Sequence, residues 1–385
     1  MSSLVRVVWD DDLATYDFGP GHPLAPLRVE LTVALSRELG LLDLPNVEVV
    51  PAPVADDAII ELVHAPEYIA AVRSCSTEAG AEDLAHGLGT SDNPTFPGMH
   101  QASAHVVGAT VEAARSVWTG EVEHAVSLAG GLHHAMPNSA SGFCVYNDLA
   151  VAIAWLLANG ARRVAYVDVD VHHGDGVEEA FRHDPRVLTI SLHESGRALF
   201  PGTGFVEDAS GGDGTVVNVP LAPGTGDEDW LRAFDGVVPQ LVEAFAPDVL
   251  ITQQGCDTHA SDPLAHLALT VDGQRATYAR LHDLAHRVTG GRWVATGGGG
   301  YAIVKVVPRA WTHLVAEVAG APIDPATPTP QRWRELVLER TGRDAPTSMT
   351  DGDAVDSRPR ETGDDLDRVV SDVRAGCYPQ HGLTP

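Results

Sequence analysis

Residues 166–176 read YVDVDVHHGDG, and this stretch decides the fold. It starts as an apolar strand and ends in aspartates and histidines. Buried carboxylates are costly unless another group compensates their charge. In open parallel sheets, ligands bind beyond the carboxyl ends of the strands. The stretch therefore predicts a buried strand that carries polar side chains into a ligand site.

Similar apolar runs recur along the chain and alternate with helix-like segments. The eight runs are VRVVW (5–9), VEVV (47–50), HAVSLA (124–129), RVAYVDVD (163–170), RVLTISL (186–192), TVVNVPL (215–221), DVLITQQ (248–254) and RWVATGG (292–298). The helix-like segments include residues 100–118, 147–160 and 228–246. This alternation indicates a parallel α/β sheet that is covered by helices on both faces.

The composition changes after residue 320. A Pro-rich connector, APIDPATPTP (321–330), precedes a predicted short helix, QRWRELVLERTG (331–342). Residues 344–365 are polar and rich in turn formers, and DLDRVVSDVRAG (365–376) predicts a terminal helix. We therefore expect one large domain over residues 1–320 and an extension over 321–385.

The composition also limits the function. The net charge of −28 disfavours nucleic acid and anionic membranes and favours cationic partners. The four cysteines lie far apart without a CxxC pair, which is typical of free thiols in a reducing compartment and excludes a cysteine zinc finger. The start of the chain does not resemble a signal peptide, and no long apolar run predicts a membrane span. We expect a cytoplasmic protein.

Four predicted strands end in polar or glycine-rich sequence: AGGLHHA (129–135), DVDVHHGDG (168–176), QQGCDTHASDP (253–263) and GGGGY (297–301). Asp170 and His172 are two residues apart, so on a strand they face the same way. With Asp257 they form a set that suits zinc or iron(II) and leaves a position for substrate. An isolated Asp-x-His pair more often only binds loop backbone, but the clustering at strand ends favours a catalytic metal.

Other residues at these strand ends suit acid–base chemistry. His133 or His134, beside a metal, could act as general base and then as general acid, with Asp168 and Asp175 as the carboxylates that orient them. Tyr301 follows four glycines and could donate its hydroxyl to an oxyanion. A glycine run is more often a flexible turn, and a phosphate cradle is disfavoured because no GK[ST] follows.

The motifs GGLHHA, SGFCVYNDLAVA, DVDVHHGDGV, ISLHE with FPGTG, QQGCDTHASDPL and GGGGY stand in one order along residues 4–320. In that order and spacing the chain resembles the histone deacetylase family of zinc-dependent amidohydrolases. DFGPGHPLAPLR, near the start, is similar to the bacterial acetoin-utilization branch. The resemblance implies an arginase/deacetylase-like three-layer fold with a central eight-stranded parallel sheet.

The resemblance also implies roles for individual residues. It implies metal ligands at Asp170, His172 and Asp257, and it implies catalytic residues at His133, His134, Asp168, Asp175 and Tyr301. His134 is then the general base and acid, with Asp175 behind it, and Tyr301 polarises the amide carbonyl. It implies an acyl-lysine channel formed by Gly142, Phe143, Phe200 and Leu264, with Asp92 at the rim. It further implies a structural potassium ion held by Asp168, Asp170, His172, Ser191 and Leu192.

The expected activity is hydrolysis of N-acetyl-lysine amides in proteins, with release of acetate. The resemblance suggests a role in acetoin or acetate metabolism and an acetylated acyl-CoA synthetase as a substrate. An acetylpolyamine or another small amide is the alternative substrate. A ureohydrolase would need a two-metal site with more aspartates, and a sensor without turnover would lack a catalytic residue. The oligomeric state does not follow from the sequence.

Overall fold

A computed structural model of the chain describes residues 3–78, 80–211, 214–352 and 363–385. A single sheet of eight parallel strands lies at its centre, in the order β2-β1-β3-β8-β7-β4-β5-β6. The strands are β1 (Val5–Val8), β2 (Val47–Val50), β3 (His124–Ser127), β4 (Val164–Asp168), β5 (Val187–Glu194), β6 (Val216–Leu221), β7 (Val249–Gln253) and β8 (Trp293–Thr296). All eight predicted strands are therefore confirmed.

Helices connect and cover the strands. They are α1 (Leu27–Glu38), α2 (Asp57–Ile60), α3 (Pro66–Cys75), α4 (Met99–Trp118), α5 (Asp148–Ala158), α6 (Asp175–Phe181), α7 (Asp227–Phe245), α8 (Val271–Thr289), α9 (Val307–Val318), α10 (Gln331–Thr341) and α11 (Gly363–Cys377). The helices predicted from the sequence, including the two after residue 320, are confirmed. Of the polar segment predicted over residues 344–365, residues 353–362 lie outside the described residues.

Two groups of helices flank the sheet. Helices α4 and α5 pack on each other, and α7, α8, α9 and α1 form a second series of packed neighbours. Every residue of β3, β4, β5, β7 and β8 is buried, because a parallel sheet with helices on both faces leaves no side of a strand exposed. This is the α/β architecture of the arginase/deacetylase fold, as the resemblance implied.

The strand order brings the four polar strand ends together. Strands β3, β8, β7 and β4 are consecutive neighbours in the centre of the sheet. Asp168 at the end of β4 is in register with Gln253 on β7, which in turn is in register with Thr296 on β8. The loops that follow these strands therefore start at one level and one edge of the sheet, where parallel sheets place their ligands.

The segment that follows residue 320 packs against the sheet domain. Trp333 on α10 is fully buried against Leu31 and Leu35 of α1, together with Met349. The indole Nε1 of Trp333 also donates to the carbonyl oxygen of Leu31 at 3.0 Å. The segment shares a small apolar core with α1, and the domain boundary at residue 320 stays a prediction.

Asp351 ties this segment to the loop that follows β7. Its carboxylate accepts from Arg309 on α9 at 2.6 Å and pairs with His259 Nε2 at 2.9 Å. It also accepts from the backbone N–H of Val271 at 2.8 Å. Burial opposes the charged form, but the bonds from His259 and Arg309 outweigh it and lower the pKa of Asp351 well below its usual range. His259 lies two residues beyond Asp257, so the segment braces the loop that carries a predicted metal ligand.

We expect Asp351→Asn to lower the free energy of unfolding by about 3 kcal/mol at pH 7, since it leaves Arg309 and His259 buried without their anionic partner. A lowered carboxyl pKa contributes stability above the unfolded-state value of about 4, and that contribution is lost as the pH falls through the folded-state value. Denaturant unfolding should be measured from pH 7 down to pH 3. The difference in free energy of unfolding between Asp351→Asn and the wild type should become smaller only below about pH 4.

Asp365→Asn is the matched control, because its pair with Arg368 is exposed and such pairs contribute little. An Asp351→Asn variant as stable at pH 7 as the Asp365→Asn variant would contradict the bracing role of Asp351.

Candidate active site and metal centre

Asp170, His172 and Asp257 converge at the carboxyl edge of the sheet. All three are buried, and one ligand atom from each lies within 4.8 Å of the others. The Nδ1 atom of His172 lies 3.1 Å from Asp170 Oδ1 and 3.1 Å from Asp257 Oδ2. The first two residues follow β4 and the third follows β7, and these strands are neighbours. The sheet thus brings together the three predicted ligands.

The two buried carboxylates of this cluster favour a positive charge between them. Burial and the nearby charge of Asp170 raise the pKa of Asp257 to about 7. Burial opposes a charged imidazole at His172, but its hydrogen bonds to both carboxylates outweigh burial and raise its pKa to about 10. The two buried carboxylates thus favour a positive charge on the imidazole between them, and a divalent cation would compensate their charge better. The donor set, one nitrogen and two carboxylates, fits zinc or iron(II).

Two glycines next to this cluster have no side chain in the space that its carboxylates occupy. A Cβ on Gly255 would lie 1.9 Å from Asp170 Oδ2, and a Cβ on Gly299 would lie 2.0 Å from Asp257 Oδ2. The N–H of Gly299 donates to Asp170 Oδ2 at 2.7 Å, and the Nε2 of Gln253 donates to the same oxygen at 2.7 Å. Sequence reasoning treated the GGGGY glycines as a turn and missed this role, because spacing does not show which atoms a Cβ would meet.

Two histidine–aspartate pairs lie beside the cluster. His133 Nδ1 donates to Asp168 at 2.7 Å, and His134 Nδ1 donates to Asp175 at 2.7 Å. The Nε2 atoms of the two histidines are 3.1 Å apart, so both face the same point. The ring of His134 also lies 5.6 Å from the ring of His172, centroid to centroid. The structure thus brings all four predicted acid–base residues to the metal ligands.

The pKa values of the two histidines are shifted in opposite directions although their contacts are similar. Burial opposes the charged form of His133, but Asp168 and Asp170 outweigh it and raise the pKa of His133 to about 9. Burial and then the charge of His133 lower the pKa of His134 to about 4, in spite of Asp175. These opposite pKa shifts favour a proton on His133 and a neutral ring at His134, whose Nε2 lone pair faces His133 Nε2 and can accept a proton.

Tyr301 lines the same pocket as the two histidines. Its backbone N–H donates to Asp262 Oδ2 at 2.8 Å, and its ring packs edge-on against Phe143 with 5.8 Å between centroids. Burial and the charge of Asp257 raise the pKa of Tyr301 well above its usual range, so the hydroxyl keeps its proton. Arg28 fixes the turn that leads to Tyr301 by donating to the carbonyl oxygen of Gly298 at 2.6 Å. Sequence reasoning named neither Arg28 nor Asp262.

A narrow pocket is lined by two of the three predicted metal ligands, Asp170 and His172. Its lining includes Leu24, His133, His134, Gly142, Phe143, Asp170, His172 and Tyr301. The ring of Phe200 packs against His134 with 5.0 Å between centroids, and Phe200 is 44% exposed, so it lies at the solvent end. A Cβ on Gly142 would come within 2.5 Å of the His134 ring. The predicted wall residues Gly142 and Phe200 therefore lie against His134, and Phe143 lines the same pocket.

The backbone at Phe143 is held in an unusual conformation. Its φ of 67° is in the left-handed region, which large side chains seldom adopt. The hydroxyl of Tyr16 donates to the carbonyl oxygen of Phe143 at 2.8 Å and accepts from the N–H of Val145 at 3.0 Å. Tyr16 thus fixes the turn that presents the Phe143 ring to the pocket, a contact over more than a hundred residues that no local pattern reveals.

Three predicted substrate residues, Asp92, Phe200 and Leu264, are not part of the lining of this pocket, although Phe200 packs on His134. Asp92 is exposed, and its carbonyl oxygen accepts from His22 Nε2 at 3.2 Å. The ring of His22 packs on Phe143 with 4.6 Å between centroids, so Asp92 reaches the pocket only through His22. Leu264 is partly buried, and its N–H donates to Asp262 at 3.0 Å. It neighbours the loop that holds Tyr301, and the substrate roles of Asp92 and Leu264 stay predictions.

The predicted potassium ligands lie on neighbouring strands. Asp168 on β4 is in register with Ser191 on β5, and Leu192 follows Ser191. The Asp168 Oδ1 oxygen accepts from the N–H of Asp170 at 3.1 Å, and Ser191 Oγ lies 2.8 Å from His193 Nδ1. The strand register thus juxtaposes the two side chains, and potassium binding stays a prediction.

No helix within the described residues is both long enough and apolar enough to span a membrane.

The chain matches known proteins over most of its length. The profile of the histone deacetylase domain matches residues 22–318. The acetoin utilization protein AcuC of Bacillus subtilis (strain 168) is 41% identical over 330 residues, which cover 85% of this chain and 84% of that protein. AcuC of Staphylococcus xylosus is 36% identical over 337 residues, which cover 86% and 87% of the two chains. AcuC of Staphylococcus aureus (strain MSSA476) is 39% identical over 326 residues, 84% and 83% of the two chains.

The matched range contains the three predicted metal ligands, both histidine–aspartate pairs and Tyr301, all of which the fold brings to one edge of the sheet. The chain therefore belongs to the histone deacetylase family.

Proposed function

We propose that this protein is a metal-dependent deacetylase that hydrolyses N-acetyl-lysine amides in proteins and releases acetate. One observation carries the proposal: Asp170, His172, His133 and His134 line one narrow pocket, and the Nε2 atoms of the two neighbouring histidines, whose pKa values are shifted in opposite directions, lie 3.1 Å apart. Metal-dependent amide hydrolysis requires a metal site and a neutral general base in the same pocket.

The shape and chemistry of the pocket fit an acylated lysine. Acetyl-lysine is neutral and has a long apolar stem, which aromatic rings such as Phe143 and Phe200 suit. Phe200 is at the solvent end, where the stem would pass from the protein backbone of a substrate into the pocket. The net charge of −28 favours basic sequence around the target lysine.

His134 moves the protons in this proposal. A zinc or iron(II) ion held by Asp170, His172 and Asp257 would polarise the amide carbonyl and lower the pKa of water. His134 Nε2 accepts a proton from the attacking water, and Asp175 holds the ring through Nδ1. The same Nε2 then gives its proton to the departing lysine nitrogen, so that acetate and a free amine are formed.

Two further groups stabilise the negative charge that develops on the carbonyl oxygen. His133 pairs with Asp168, which favours its charged form, and a protonated His133 would place a positive charge beside His134. The hydroxyl of Tyr301 stays protonated, so it can donate a hydrogen bond to the oxyanion. Asp262 and Phe143 fix the backbone and the ring of Tyr301, so the donor is in place before the reaction begins.

The physiological substrate is proposed from the relatives. The relatives named above are acetoin utilization proteins. We infer a role of this chain in acetoin or acetate metabolism in the cytoplasm, with an acetylated enzyme such as an acyl-CoA synthetase as the substrate. Deletion of the protein should then raise lysine acetylation on such an enzyme, and unchanged acetylation would contradict this assignment.

Tyr301→Phe should reduce kcat by ~10²-fold or more, as expected for the loss of one oxyanion donor. The ring packing against Phe143 is kept, so KM and the melting temperature should change little. Steady-state kinetics on an acetyl-lysine peptide measure both constants. Tyr378→Phe is the control, since its hydroxyl bonds to Gly236 on α7, outside the pocket. Unchanged kcat in Tyr301→Phe would remove this hydroxyl from the mechanism.

Acetate release from an acetyl-lysine peptide tests the proposed function as a whole. The purified protein is measured after chelation and again after addition of zinc or iron(II), with His134→Ala as the control that keeps the metal ligands. We expect no release after chelation, recovery with metal, and no recovery in His134→Ala.

A parallel assay with an N-acetylated polyamine separates the substrate classes. Release from the polyamine alone would replace the protein substrate by a small cationic amide. No release from either substrate in any metal state would contradict the proposed hydrolase activity.

A further inference from the structure

Three histidines outside the catalytic site aim their Nε2 atoms at one point. His124 Nε2 lies 3.2 Å from His286 Nε2 and 3.2 Å from His282 Nε2, and the last two atoms are 3.0 Å apart. The three ligand atoms thus form a nearly equilateral triangle. Sequence reasoning missed this cluster because 158 residues separate His124 from His282.

The cluster lies at the edge of the sheet opposite the catalytic site. His124 is the first residue of β3, whereas the GGLHH segment with His133 and His134 follows the end of that strand. His282 and His286 are four residues apart on α8, so they are neighbours on one face of the helix. Two histidines at this helical spacing form a ready chelating pair, and β3 supplies the third ligand.

The triangle has the dimensions of a metal site. Zinc–nitrogen bonds of about 2.0–2.1 Å at a tetrahedral angle place ligand nitrogens about 3.3 Å apart. Imidazoles that only pack together have no reason to direct all three polar atoms to one point.

Contacts that do not use the Nε2 atoms fix the rings. The indole of Trp293 stacks on His282 with 5.5 Å between centroids and 21° between planes. The same indole meets His124 edge-on at 5.8 Å. Trp293 is fully buried and its Nε1 donates to Thr252 at 2.9 Å, so this support is itself anchored. The positions of the His282 and His124 rings are therefore set by the protein core before any ligand binds.

Solvent and acidic groups border the open side of the cluster. His124 is buried, His282 is partly buried and His286 is exposed, so an ion can enter from the His286 side. A Cβ on Gly291 would lie 3.3 Å from the His286 ring and 3.5 Å from Glu123 Oε2, so this carboxylate borders the same space. An acidic neighbour and a strongly negative chain both favour a cation there.

We propose that His124, His282 and His286 form a second metal site, which binds a divalent transition metal of the zinc class through three imidazole nitrogens and leaves a fourth position for solvent. Its all-nitrogen ligand set suits zinc, copper(II) or nickel(II) and does not suit magnesium or calcium. A bound ion links α8 to the start of β3 and so stabilises the fold, and this inference does not depend on the proposed deacetylase activity.

Equilibrium dialysis with Zn²⁺ tests the site after complete chelation of the purified protein. The double variant His282→Ala/His286→Ala removes two ligands that are partly or fully exposed, which limits the risk to folding. His183→Ala is the matched control, because His183 is an exposed histidine elsewhere on the chain. Asp257→Asn reports separately on the catalytic cluster. Circular dichroism verifies that each variant is folded.

We expect the wild-type protein and His183→Ala to bind one equivalent of Zn²⁺ more than His282→Ala/His286→Ala. Added Zn²⁺ should also raise the melting temperature of Asp257→Asn and have a smaller effect when the two histidines are removed as well. Equal Zn²⁺ uptake by His282→Ala/His286→Ala and His183→Ala would overturn the proposal. Loss of an equivalent in that variant, with no loss in Asp257→Asn, would support this site while contradicting the catalytic metal centre.

Discussion

The burial of two carboxylates at the edge of the sheet is the constraint on which the rest of the site depends. Asp170 and Asp257 are fully buried, and each is close to His172. Such a pair is stable only with a compensating positive charge and with donors for the remaining lone pairs. The backbone N–H of Gly299 and the side-chain amide of Gln253 donate hydrogen bonds to Asp170, and the N–H of Val171 donates one to Asp257. The loops at this edge are shaped to supply these donors.

The same constraint separates the roles of the two neighbouring histidines. His133 faces Asp168 and the charge of Asp170, which favour its protonated form, and a charge there in turn favours a neutral His134. The difference in protonation thus follows from distance to the buried carboxylates and needs no difference in residue type. The loop that carries Asp257 is held from outside by Asp351, so a residue far from the pocket also supports the ligand geometry.

Much of this arrangement could be predicted from the sequence, for physical reasons. Alternation of apolar strands and helices predicts a parallel sheet, and the polar strand ends predict a site at its carboxyl edge. The sequence placed Asp170 and His172 on a strand, whereas β4 ends at Asp168 and both residues lie in the loop that follows it. Contacts between distant segments could not be predicted. A side chain at Gly255 would collide with Asp170, and Asp351 acts on a loop about ninety residues away. The three converging histidines meet because α8 packs on β8, the strand that pairs with β3.

Anomalous X-ray diffraction at the zinc and iron absorption edges, from crystals of the metal-loaded protein, tests the central claim most directly. The account predicts an anomalous peak about 2.0–2.2 Å from His172 Nδ1 and from a carboxylate oxygen of both Asp170 and Asp257. The edge at which the peak appears identifies the metal. A fully ordered cluster with no anomalous peak between these three side chains would contradict the claim that the two buried carboxylates are compensated by a metal.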